Sequence, residues 1–227
     1  QLDYCMSDTG TPKCLLSGVG GYVESGVALG LDPDTDFEPA TIGWSIEFVD
    51  LDHDGWLDLV QASGPLPDGP GGAQAWPDLC WKGQPDGTFD DVTVESGFGS
   101  LAENYGLATA DFDGDGSLDV VRLAPGVPPS LLLNRCSAGA WLDFELVGLA
   151  ANREALGARI EVTSGGFTHL REMQSVRGQG QSPSRLHFGL GGVQAVGPVR
   201  IVWPDGAVSE ATTIPVNRRV VVTHPAL

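Results

Sequence analysis

Eight aspartates fall into two copies of one short phrase. The first is Asp50-Leu51-Asp52-His53-Asp54-Gly55-Trp56-Leu57-Asp58 and the second is Asp111-Phe112-Asp113-Gly114-Asp115-Gly116-Ser117-Leu118-Asp119. Each copy puts carboxylates at loop positions 1, 3, 5 and 9 and glycine at position 6. Carboxylates at alternate positions of a tight turn converge on one point, which is repulsive unless a hard cation fills it. Glycine at position 6 permits the sharp turn, and the carbonyl of position 7 (Trp56 or Ser117) can supply a further oxygen. Calcium takes six to eight oxygens in a forgiving geometry, so two calcium sites are expected, the alternative being a solvated acidic turn. A single such phrase can arise by chance in an acidic chain. Two, starting 61 residues apart with the same ninth aspartate and similar exits, argue for a repeated unit.

The flanks exclude an EF-hand, which needs a glutamate at position 12 between two helices. Here position 12 is Gln61 or Arg122. The entering segments 44–49 and 106–110 and the exits 57–60 and 118–121 are short and rich in apolar residues, which predicts strands on both sides of each loop. A third acidic stretch carries Asp32, Asp34 and Asp36 but has Phe37 where the glycine should be, so it offers at most a weak third cation site.

With Gly 32 and Pro 16 among 227 residues, no long amphipathic helix fits and most apolar runs last four to eight residues. The expected fold class is all-β. No apolar run is long enough for a membrane span. Net charge is −18, and residues 1–136 carry 23 acidic and 4 basic side chains against 7 and 8 in residues 137–227. That shift predicts two domains, 1–136 and 137–227. It also argues against nucleic acid or an anionic membrane as partner of the first. Chain position 1 is Gln, which suits a chain whose leader has been removed and suits a fragment equally.

The four cysteines allow three pairings. Calcium loops in an acidic chain suggest a secreted or cell-surface setting, where Cys5–Cys14 and Cys80–Cys136 are the expected disulfides and free buried thiols the alternative. Residues 63–72, rich in proline and glycine, are expected to form a long surface loop.

Beyond Trp141 about seven strands are predicted: 141–147, 158–164, 167–175, 185–189, 199–203, 208–212 and 218–223. Gly165-Gly166 and Pro204-Asp205-Gly206 supply hairpin chemistry. Such spacing suggests a small sandwich or barrel.

Two resemblances follow from these residues. Phe89-Asp90-Asp91-Val92-Thr93, then about twenty residues on Ala110-Asp111-Phe112-Asp113-Gly114-Asp115-Gly116 and Leu118-Asp119-Val120, resembles the FG-GAP/VCBS repeat, with Leu131–Arg135 similar to its blade ending. The segments 141–148, 152–159, 185–191 and 202–206 resemble the ASPIC/UnbV domain over about 140–224. These resemblances imply two propeller-blade-like calcium-binding repeats followed by a small β domain, in a secreted acidic protein. Two repeats are too few to close a propeller.

Catalysis finds little support. His53 sits within a calcium loop and is expected to point out of it, and His169 and His187 fall on strands as structural residues. Neither a nucleophile elbow nor a dinucleotide fingerprint is present. The arginines 153, 159, 171, 177, 185 and 200 offer either a patch for a neighbour's acidic half or ordinary solvated strand faces. The expected function is a calcium-stabilised extracellular structural protein whose subunits complete one another's sheets into a homo-oligomer or polymer. The alternatives are a monomeric adhesion or glycan- or protein-binding module and a piece of a longer propeller protein.

Overall fold

The computed structural model describes residues 4–8, 12–32, 42–65, 76–99, 101–175 and 180–227. These are all-β apart from one 3-10 turn at Val27–Leu29. Among the described residues the first half builds three larger antiparallel sheets and one two-stranded pair, where the repeat suggests two units. Strands β1 (Tyr4–Met6), β2 (Lys13–Gly18) and β3 (Gly21–Glu24) form the first sheet. Strands β4 (Gly43–Val49) and β5 (Asp58–Ser63) begin the second. A short β6 (Trp76–Pro77) follows, then β7 (Leu79–Gly83) and β8 (Phe89–Asp91) complete the order β4-β5-β7-β8. The two-residue β9 (Leu101–Ala102) pairs with β6. Strands β10 (Gly106–Ala110), β11 (Asp119–Leu123) and β12 (Ser130–Leu132) form the third sheet.

Alternation along the strands explains how these sheets stack. On β7, Leu79 and Trp81 join Cys14, Leu31 and Leu59 in one core, while Cys80 faces Val49, Val60, Ala62, Phe98, Leu107 and Val120 in a second. The middle sheet is thus covered on both faces, and all six residues of β5 are buried. A polar pin crosses the second core. Asp78, with no exposure, accepts bonds from the Ser63 N–H, Asn104 Nδ2 and Arg122 Nη1 at 2.9, 2.7 and 2.8 Å. Arg122 also donates to the Phe98 carbonyl at 3.0 Å.

The second half holds β13 (Ala140–Val147), β14 (Arg159–Ser164), β15 (Phe167–Glu172), β16 (Leu186–Gly191), β17 (Ala195–Val196), β18 (Val199–Val202), β19 (Val208–Ala211), β20 (Ile214–Pro215) and β21 (Arg218–Thr223). All seven expected strands are present, with β17 and β20 added as a two-stranded pair. The sheet β16-β13-β21 and the sheet β15-β14-β18-β19 share one core, to which Leu142, Phe144, Phe188, Ile160, Val162 and Ile201 contribute. Among the described residues neither a barrel nor a propeller closes.

Cys5 and Cys14 are bonded across paired positions of β1 and β2, as expected. The expected Cys80–Cys136 bond is absent. Cys80 points into the second core, whereas Cys136 lies exposed in the connector after β12. Most of the loop expected at 63–72 (66–72), the acidic residues Asp34 and Asp36, and Arg177 lie outside the described residues, while Asp32 is exposed.

Candidate metal centres

Both acidic phrases form the turn between the first two strands of a sheet, β4 to β5 and β10 to β11. Strands, not helices, flank each one. Their local hydrogen bonds correspond position by position but for one, from the Gly114 N–H to Asp111 Oδ1 at 2.7 Å, which the first loop lacks. In each loop the position-6 N–H bonds Oδ2 of the first aspartate, at 3.0 Å from Gly55 to Asp50 and 3.1 Å from Gly116 to Asp111. The position-7 N–H bonds Oδ1 of the fifth, at 2.9 Å from Trp56 to Asp54 and 2.8 Å from Ser117 to Asp115. The position-5 N–H bonds Oδ1 of the third, at 3.2 Å to Asp52 and 3.3 Å to Asp113. Positions 4 and 6 both take positive φ: 63° at His53 and 101° at Gly55, 81° at Gly114 and 94° at Gly116. The glycines at position 6 are explained by that conformation.

Side chains of Asp50, Asp52 and Asp54 each offer an oxygen within 4.8 Å of the others, and so do those of Asp111, Asp113 and Asp115. Either trio is able to hold a metal ion. Asp58 and Asp119, also expected as ligands, brace the loops. Asp58 accepts the Leu51 and Gly83 N–H groups at 2.9 and 3.0 Å, and Asp119 accepts those of Phe112 and Asn134 at 2.9 and 2.8 Å. Each of these oxygens keeps a second lone pair.

The first loop is the more buried. Asp50 is only 2% exposed, and its Oδ1 has no hydrogen-bond partner. Burial, followed by the nearby Asp58 and Asp54, raises Asp50 to about 7, and burial raises Asp58 to about 6. A divalent cation would reverse both effects by favouring the ionised forms. An orphaned, buried carboxylate oxygen beside two more carboxylates therefore fits a hard cation well.

Residues that sequence reasoning did not connect to the loops hold them from outside. Lys82, on β7, bonds Asp52 and lies 2.9 Å from Asp54. Arg135 bridges Asp113 and Asp115 at 2.6 and 2.8 Å. The second half grips both loops through histidines. His187 on β16 donates from Nε2 to the Gly116 carbonyl at 3.0 Å, and His169 on β15 hydrogen-bonds the Gly55 backbone. A histidine of the second half thus meets position 6 of each loop. His53 leaves its loop as expected, yet it meets protein and not solvent. It is 1% exposed, its Nδ1 is 3.2 Å from the Gly139 carbonyl, and its ring lies 5.0 Å from that of His187. Trp56 packs edge-on against Phe167 at 5.3 Å, and Trp141 stacks on His187 at 5.9 Å.

A cleft of about 590 Å³ opens where the halves meet, with Glu47, Asp50, Asp111, Trp141, Arg171 and His187 among its walls. Ser182 joins the walls by donating to Glu47 at 2.8 Å and accepting the Thr109 N–H at 2.9 Å. Arg159 on β14, Arg200 on β18 and Arg185 just before β16 pair with Glu172, Glu161 and Glu145, while Arg171 lies over the Phe188 ring at 5.2 Å.

The site is that of an all-β protein with two matched acidic loops docked on a β-sandwich. Residues 148–227, most of that sandwich, match the family model described as ASPIC and UnbV. No curated protein matches the chain. Among the described residues no helix is long and apolar enough to cross a membrane, and the Cys5–Cys14 disulfide suggests an oxidising or extracellular setting.

Proposed function

We propose that the two loops hold calcium and that the cations brace a non-catalytic extracellular structural protein. The hydrogen-bond pattern shared by the two loops, together with the orphaned Asp50 Oδ1 of the first, carries this reading. Asp50, Asp52 and Asp54 would hold one ion, with Asp58 and the Trp56 carbonyl completing its shell. Asp111, Asp113, Asp115, Asp119 and Ser117 would hold the other. A bound calcium supplies positive charge that relieves the repulsion among these carboxylates. Because His169 and His187 grip the same loops, a stiffened loop also stiffens the seam between the halves. The FG-GAP/VCBS resemblance of the loop segments supports the same assignment.

Assembly belongs to this reading through the open sheet edges. Strand β3 is an edge whose four residues are all exposed, with Tyr22 59% and Val23 63% exposed, and β12 is an edge that exposes Leu131. Exposed apolar edges pair readily with another chain. The contact expected is between these edges in neighbouring copies, giving a homo-oligomer or polymer. A second reading, a monomeric module binding a glycan or protein, is favoured by the cleft at the seam.

Thermal melting with calcium and with chelator tests the cation. At free calcium one hundredfold above Kd each site contributes about 2.7 kcal/mol, so two sites raise Tm by about 10–20 °C. Light scattering on the same samples separates the readings. Calcium-dependent oligomers support assembly, and a concentration-independent monomer supports the binding module. An unmoved Tm refutes the cation sites.

A further inference from the structure

We infer that Lys82 and Arg135 are built-in counter-ions: each holds its acidic loop in shape without metal and competes with a divalent cation for the same two carboxylates. This inference rests on the cation reading above and adds what sets the affinity of the sites.

The two basic side chains converge on corresponding atoms. Lys82 Nζ approaches Oδ2 of Asp52 and of Asp54. Arg135 Nη1 approaches Oδ2 of Asp113 and of Asp115. These are positions 3 and 5 of each loop, and all four Oδ1 atoms are occupied by the loop's own backbone N–H groups. The Oδ2 atoms are therefore the ones left to face a cation, and a protein cation meets them in both copies.

The two residues arrive by different routes. Gly83 and Asn134 make the equivalent bond to the ninth aspartate, so Lys82 comes one residue before that point and Arg135 one residue after it. A shared ancestral position does not account for the coincidence, whereas a shared electrostatic need does. Composition points the same way. Only four basic side chains lie in residues 1–136, and two of them stand at these loops. A third, Arg122, neutralises the buried Asp78.

Competition follows from geometry. An ammonium bonded to two Oδ2 atoms occupies the face a metal ion must enter. Even displaced to about 5 Å, it repels a divalent ion enough to weaken binding roughly tenfold in a water-like dielectric. Lys82 is 35% exposed and Arg135 57%, so solvent screens Arg135 more and its effect is the smaller. With no ion bound, the same contacts offset the repulsion within each trio.

The test uses the full chain and terbium, a luminescent calcium substitute. Trp56 belongs to the first loop and the Trp141 ring lies against Gly116 of the second, so both loops have an indole to sensitise the ion. Terbium luminescence and its displacement by calcium are compared in wild type, Lys82→Met and Lys82→Arg, with melting in EDTA alongside. Lys82→Met should bind calcium about tenfold more tightly and melt several degrees lower in EDTA, and Lys82→Arg should restore both. Equal or weaker calcium binding by Lys82→Met, or an unchanged melt in EDTA, overturns the inference. Terbium bound by none of the proteins refutes the cation reading and this one together. Terbium bound equally by all refutes only the counter-ion role.

Discussion

Acidification should unfasten the seam between the two halves, and His187 supplies a measurable share of that effect. Burial, then the neighbouring His53, pushes His187 down to about 3, while its bond to the Gly116 carbonyl opposes the shift and Arg171 adds to it. The ordinary value is 6.5. A histidine whose folded value lies below its unfolded value binds fewer protons when folded. Its contribution is therefore complete above the unfolded value and is lost as pH falls from 6.5 toward 3. Each pH unit in that window costs about 1.4 kcal/mol, so pH 5 costs about 2 kcal/mol relative to neutral pH. For a chain of this size that is about 4–8 °C in Tm. His187→Gln keeps a donor for the Gly116 carbonyl and removes the titration. Melting both proteins between pH 7.5 and 5 in saturating calcium isolates the term, because carboxylate titrations elsewhere are common to both. Wild type should lose about 4–8 °C more than the variant. Parallel curves would show that protonation of His187 carries no such cost, and the explanation given for its depressed pKa would fall.

Two further outcomes follow from buried groups. Asp78→Ala strands the Arg122 guanidinium in the second core and should cost about 3–5 kcal/mol in urea unfolding at pH 8. Asp78→Ala combined with Arg122→Met should recover much of that loss, and strict additivity of the two changes would refute the ion-pair account. Of the two free thiols, Cys136 is exposed and Cys80 is buried and pushed up to about 12. Ellman's reagent should therefore titrate one thiol quickly in the native protein and a second only in denaturant.

The parts of this protein that the sequence determines are those whose causes lie within a few residues. The loops were legible because aspartate at positions 1, 3 and 5 bonds backbone N–H groups two to five residues on, so the turn is encoded where it forms. The strands of the second half were legible for the same reason, since period-two alternation and the turns at Gly165-Gly166 and Pro204–Gly206 are local signals. Only the tertiary structure decides which side chains the loops meet. Lys82 lies 30 residues from Asp52, and His187 lies 71 from Gly116. Neither spacing follows from any local pattern. The first sheet, β1 to β3, does not follow from the sequence because its strands are short and its core residues, Cys5 and Cys14, read as a disulfide and not as a repeat. Cys80 misled in the opposite sense. A cysteine's partner depends on which face of its strand it occupies, and the alternation of β7 turns Cys80 inward, away from the exposed Cys136. His53 shows the limit most clearly: position 4 of the loop fixes that it must leave the turn, but packing against Gly139 and His187 decides that it enters protein instead of water.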